Sequence, residues 1–214
     1  MTAHNPAAND QSTMQPLGEQ TVDAFLLALS APTPVPGGGA VAGLLLAQSA
    51  ALGEMVVSFA LSKSKFASFA PVHRASLAAL TELRQTSMRL ADLDAAAYRA
   101  LNRLWKLPKE DAARAAGWTM AVEDAIQAPH SVIETASSVL RQLEPLIGTT
   151  AESLKSDLAI AIDLAAAASR AAAWNVRANL PLLEHEHERK DRATALESAL
   201  RDIALRASTL SARL

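Results

Sequence analysis

Cysteine is absent from the 214 residues, which removes disulfides, thiolate nucleophiles, iron–sulfur clusters and cysteine-type zinc sites together. Glycine is scarce at eight, and Phe, Trp and Tyr total eight, whereas a β-sandwich or barrel would want aromatic and β-branched strands divided by frequent turns. Excess positive charge is missing too. Against 22 Asp and Glu stand 20 Lys and Arg, a net charge of −2, too little to neutralise a phosphate backbone or an anionic membrane surface. No nucleic-acid or membrane partner is expected. The opening stretch MTAHNPAANDQSTMQPLGEQ has no basic start followed by an apolar run, so no secretory signal is read and a cytoplasmic location is expected.

What fills the chain is Ala (47) and Leu (31), a mixture that suits close-packed helices. The expected fold class is all-α: a bundle of long helices with a buried central helix. Residues 1–19 are polar and without apolar periodicity, so a disordered tail is expected there and one helical domain over 20–214. Thr21 is an N-cap before VDAFLLALSA, and three prolines and three glycines at 32–39 end that short helix. From about Ala40 to Leu61 the sequence is apolar almost all round, as long as a membrane span. Gln48, Glu54 and several small residues favour a helix buried in a bundle or dimer instead. Gly39, Gly43, Ala47 and Ala51 recur every four residues, a flat stripe for close helix pairing. An amphipathic helix from Pro71 to about Lys106 follows. The next starts after Pro108 and runs towards Ile147, with a kink or interruption expected at Pro129. Further helices are read at about 152–180 and 184–212.

In such a bundle, polar residues on apolar stripes are informative, because burial without a partner costs about 1–3 kcal/mol. Asp94 lies about 40° from Leu90 and about 20° from Leu101, on the inward stripe, whereas Asp92 faces the polar side. Burial should raise the Asp94 pKa, which prepares a carboxyl group for acid–base work; the alternative is a structural Asp held by an arginine. Tyr98, one turn on, can orient it. Asp157 shares a face with Ala161, Leu164 and Ala168, and Asn175 falls at the same angle about 27 Å further along. The PVPGGG loop can present bare N–H groups of Gly37, Gly38 and Gly39 to a ligand. Lys63 and Lys65 can anchor ligand carboxylates, or simply answer the helix dipole. His185 and His187 are two apart and fall on opposite sides of a helix, so no metal site is expected. His73 and His130 stand alone. No GxSxG, Walker A, Rossmann or HExxH pattern occurs.

Three segments in order, TVDAFLLALSAPTPVPGGGAVAG, LADLDAAAYRALNRLWKLPKE and KSDLAIAIDLAAAASRAAAWNVRANL, resemble the cyclodeaminase/cyclohydrolase family. This is the deaminase part of formimidoyltransferase-cyclodeaminase, together with the stand-alone methenyltetrahydrofolate cyclohydrolases. The resemblance implies an all-helical homodimer that binds a folate near the subunit interface with no metal or redox cofactor. It matches Asp94 to the proposed proton donor and acceptor, Gly37, Gly38 and Gly39 to a ligand-facing loop, and Asp157 and Asn175 to polar groups of the cleft. Lys63 and Lys65 would pair with the glutamate tail. Departures are Ala40 for a usual Ser, Ser62-Lys63-Ser64-Lys65-Phe66 for a Gly-Lys-Lys-Lys-Tyr run, and Thr150-Ala151-Glu152-Ser153 for Gly-Asn-x-Asn. The implied reaction is hydrolysis of methenyltetrahydrofolate to formyltetrahydrofolate. Ammonia release from formimidoyltetrahydrofolate, or a non-catalytic folate-binding or structural dimer, are the alternatives.

Overall fold

The computed structural model describes residues 15–214. Six α-helices, with no strand among these residues, follow one another: α1 Val22–Ser30, α2 Gly38–Leu61, α3 Ala70–Trp105, α4 Ala112–Leu143, α5 Lys155–Asn179 and α6 Glu186–Ser211. Their ends follow local chemistry. Thr21 accepts from the Ala24 N–H at 3.1 Å, Pro71 opens α3, and Asp111 caps α4 by accepting from Ala113 and Arg114. Gly148, at φ 74°, makes the turn after α4 that a side chain would strain. Of the tail expected at 1–19, residues 1–14 lie outside the described residues. Within the remainder Leu17–Glu19 form a short 3₁₀ turn whose Leu17 is buried, and the Leu17 N–H donates to Asp92 at 3.0 Å. The outward Asp92 thus has a structural task distinct from that of Asp94.

Helices α2, α3, α4 and α5 form a four-membered bundle in which α2 and α4 each pack on α3 and α5, and α6 covers α4 and α5. One continuous core of Leu, Val, Ile and Ala runs through it. The small-residue stripe on α2 faces α3: a Cβ on Gly43 would come within 2.8 Å of the Ala91 methyl and 2.9 Å of the Ser87 carbonyl. Gly39 and Ala47 are buried, but Ala51 turns outwards, and further along it is Gly53 that meets Leu80 of α3. On its other side Ser49 donates to the Ala161 carbonyl of α5 at 2.6 Å. With Gly38 beside Asn175 at the other end of the pair, this makes α2 and α5 antiparallel.

The neighbours expected on every side of α2 are present towards α3 and α5. A third strip, with Gln48, Ala51, Ser58 and Phe59 exposed, stays bare in the single chain. The polar residue that argued against a membrane span is accommodated: Glu54 pairs with Arg84 of α3 at 2.7 Å. Helix α4 is not interrupted at Pro129; one helix from Ala112 to Leu143 includes it, with the ring buried. His73 is buried and hydrogen-bonded through Nε2 to Thr149 Oγ1 at 3.0 Å. That hydroxyl donates to Pro145 O, so the imidazole is the donor and its buried Nδ1 has no partner among the described residues. Burial holds the His73 pKa below the usual range.

Candidate active site

The triple glycine is where two polar side chains press against the start of α2. A Cβ on Gly39 would overlap the Asp94 carboxyl group, and one on Gly38 would touch the Asn175 amide at 3.7 Å. Only glycine at 39 lets α3 bring the carboxyl group so near this backbone, whereas the Asn175 contact at Gly38 is ordinary packing. Gly37, the N-cap, has no side chain to satisfy the first turn, and the first intrahelical bond is Val41 N–H to Gly37 O. The N–H groups of Gly38, Gly39 and Ala40 therefore lack helical acceptors. They form a donor edge at the positive end of the helix.

These groups surround a cavity of about 230 Å³, lined by Pro34, Val35, Gly37, Gly38, Gly39, Asp94, Tyr98, Ala125, Asn175, Ala178 and Asn179. Four elements meet there: the 31–37 loop with the start of α2, the middle of α3, the middle of α4 and the end of α5. Asp94 is half-buried, and among the described residues no arginine or other hydrogen-bonding partner holds it. Burial alone pushes its pKa up to about 6, as the position on the inward stripe implied. Tyr98 is 45% exposed and stands at the rim one turn from Asp94. The cleft offers one carboxylate, a phenol, two amides and no histidine, a poor donor set for a metal ion. No cluster of three His, Asp or Glu able to hold one occurs among the described residues.

Of the residues singled out in the sequence, Gly37, Gly38, Gly39, Asp94, Tyr98 and Asn175 converge on this cavity. Lys63, Lys65 and Asp157 do not line it. Both lysines are exposed just beyond the far end of α2, roughly 36 Å from Gly38 by the length of that helix. Asp157, half-buried in the first turn of α5, lies at the same far end because α2 and α5 are antiparallel. Sequence reasoning missed Asn179, one turn after Asn175 and so on the same face. It also missed Ala125, which α4 contributes to the wall.

Comparison with known proteins gives concordant likenesses. Residues 21–202 match the family described as Formiminotransferase-cyclodeaminase. A methenyltetrahydrofolate cyclohydrolase from Methylorubrum extorquens is 30% identical over 187 residues, covering 86% of this chain and 90% of that protein. A formimidoyltransferase-cyclodeaminase from Gallus gallus is 27% identical over 170 residues, covering 78% of this chain but 30% of that protein. The crystal structure of a formiminotetrahydrofolate cyclodeaminase from Thermotoga maritima superposes with a TM-score of 0.79 at 25% identity, covering 92% of this chain and 94% of that one.

Proposed function

Because the chain belongs to the formiminotransferase-cyclodeaminase family, we propose that it hydrolyses methenyltetrahydrofolate to formyltetrahydrofolate, with Asp94 as the single general base and acid. The observation that carries this reading is the isolation of that carboxyl group. It is half-buried, without a partner among the described residues, shifted to about 6, and set in a cavity beside the first N–H groups of α2, which have no helical acceptor. A group with such a pKa is largely ionised at neutral pH yet still readily takes up a proton, which suits it to both halves of a hydrolysis.

The methenyl bridge is a cation shared by two nitrogens, and an ionised Asp94 lowers its energy in the cleft. Water adds to the bridging carbon as Asp94 takes one of its protons, giving a neutral hydroxy adduct. Protonated Asp94 then returns that proton to the departing ring nitrogen. The carbon–nitrogen bond breaks, the adduct hydroxyl loses its proton to solvent, and the formyl group remains on the other nitrogen. One water is consumed and one proton released. The donor edge of α2 can receive oxygen as it gains charge in the adduct. No metal or redox cofactor has a part in this scheme.

A cavity of about 230 Å³ falls below the usual 300–1,000 Å³ of a ligand site, room for a ring system but not for a folate's long arm. We propose that a second copy supplies the rest. The bare strip of α2 carries Ala51 and Phe59, with half-buried Leu44, Leu45, Leu52 and Met55 alongside. Antiparallel pairing of two such strips would carry Lys63, Lys65 and Asp157 of a second copy towards the Asp94 cleft, where the lysines can meet the glutamate tail.

Ammonia release from formimidoyltetrahydrofolate is the second reading, favoured by the superposition on the Thermotoga maritima cyclodeaminase. It uses the same carboxyl group, first to take a proton from the attacking nitrogen and then to protonate departing ammonia. The two are separated by adding purified protein to methenyltetrahydrofolate, following loss of the methenyl chromophore, and assaying ammonia from the formimidoyl compound. Chromophore loss above the buffer rate supports the cyclohydrolase. A rate equal to buffer, with ammonia released, transfers the assignment to the deaminase. Tight folate binding without either reaction leaves a binding protein.

A further inference from the structure

Pro129 lies inside α4 and has no N–H, so the carbonyl of Ala125, four residues earlier, is deprived of its helical donor. Asn179, at the end of α5, supplies another: its Nδ2 donates to the Ala125 oxygen at 2.8 Å across 54 positions of sequence. A carbonyl only accepts, so this bond fixes which end of the amide is nitrogen. The Asn179 Oδ1 is thereby left as the acceptor that this side chain offers to the cleft it lines. One turn back, Asn175 lines the same cleft with an Nδ2 that has no acceptor among the described residues. A donor and an acceptor thus stand on one face of α5, on side chains whose Cβ atoms are about 5–6 Å apart.

We propose that Asn179 is a specificity-determining residue, its Oδ1 accepting a hydrogen bond from the exocyclic amine on the pyrimidine edge of the folate ring. This rests on the folate reading above. The carbonyl on that same edge is the complementary partner for the Asn175 Nδ2, so the two amides read neighbouring groups of one ring. Pro129 acts through the Ala125 carbonyl and is a positioning residue. The arrangement discriminates because an edge lacking the amine leaves the Asn179 oxygen desolvated and unpaired.

The test is calorimetric binding of tetrahydrofolate and of its 2-desamino-2-methyl counterpart to the full chain, as wild type, Asn179→Ala and Pro129→Ala. Wild type prefers the amine-bearing compound by about tenfold or more. Asn179→Ala reduces the preference to about twofold or less, and Pro129→Ala, which returns a helical donor to the Ala125 carbonyl and releases the Asn179 amide from it, lowers the preference as well. A wild type without the preference, or an unchanged preference in a folded Asn179→Ala, overturns the proposal. Turnover of methenyltetrahydrofolate by wild type is measured in parallel. Selective binding without turnover removes the cyclohydrolase reading and leaves the Asn179 assignment standing; turnover with unchanged preference in Asn179→Ala removes the assignment alone.

Discussion

In the proposed reaction a single carboxyl group, that of Asp94, carries both the chemistry and a cost. The folded-state pKa of Asp94 is raised from 3.8 to about 6, so the folded protein binds more protons than the unfolded chain between those values. Stability from this group is therefore fully present below about 3.8 and is lost as pH rises through about 6. At pH 7.5 the ionised group costs roughly 1–3 kcal/mol by the size of that shift. Asn keeps the shape without the charge. Asn substitution at Asp94 is expected to cut turnover by about a hundred- to ten-thousand-fold while raising the melting temperature at pH 7.5, with the gain shrinking towards pH 4. Thermal melts of the two proteins across this range check it; a variant less stable than wild type at pH 7.5 contradicts the burial argument. Asp94 was legible in the sequence because its angle to Leu90 and Leu101 placed it on the inward stripe. Asn179 was not. Its task depends on a carbonyl that Pro129 frees in a helix 54 positions away, and no spacing along α5 announces that.

At the scale of the helices, the glycines of α2 mark two different kinds of approach. Gly43 lets two backbones close, so Gly43→Ala must push α2 from α3 and is expected to lower stability by about 1–3 kcal/mol, measured by urea unfolding, with catalysis retained in the folded fraction. Gly39 instead makes room for the Asp94 carboxyl group, so Gly39→Ala is expected to displace that group and abolish turnover with a smaller loss of stability. Equal turnover losses in the folded fractions of both variants would contradict the distinction. Pro129→Ala returns an N–H to the Ala125 carbonyl, where it competes with Asn179. A several-fold rise in KM with little change in kcat is expected. The ends of α1 were readable because caps and breakers are local: Thr21 caps it and the prolines and glycines of 32–39 follow it. The uninterrupted α4 was not, since a buried proline whose orphaned carbonyl finds a donor on α5 need not end a helix.

For the whole molecule, the bundle places the Asp94 cleft at one end and Lys63, Lys65 and Asp157 at the other, a separation set by the length of α2. Composition made the all-α bundle legible, but one sequence does not say which apolar strip faces its own chain and which faces another. The proposed dimer predicts a sedimenting mass near twice 22.5 kDa. Ala51→Glu, placing a charge on the bare strip, is expected to yield folded monomers with folate affinity reduced at least tenfold; a monomeric wild type with full affinity would contradict it. The most direct test of the account as a whole is the dependence of kcat/KM on pH, read from methenyl chromophore loss between pH 5 and 8 for wild type and Asp94→Asn. The account predicts a wild-type rate above buffer that rises with pH to a plateau, with a midpoint near the Asp94 pKa of about 6, and a variant with no such step. A flat wild-type profile, or Asp94→Asn turning over at the wild-type rate, would contradict it.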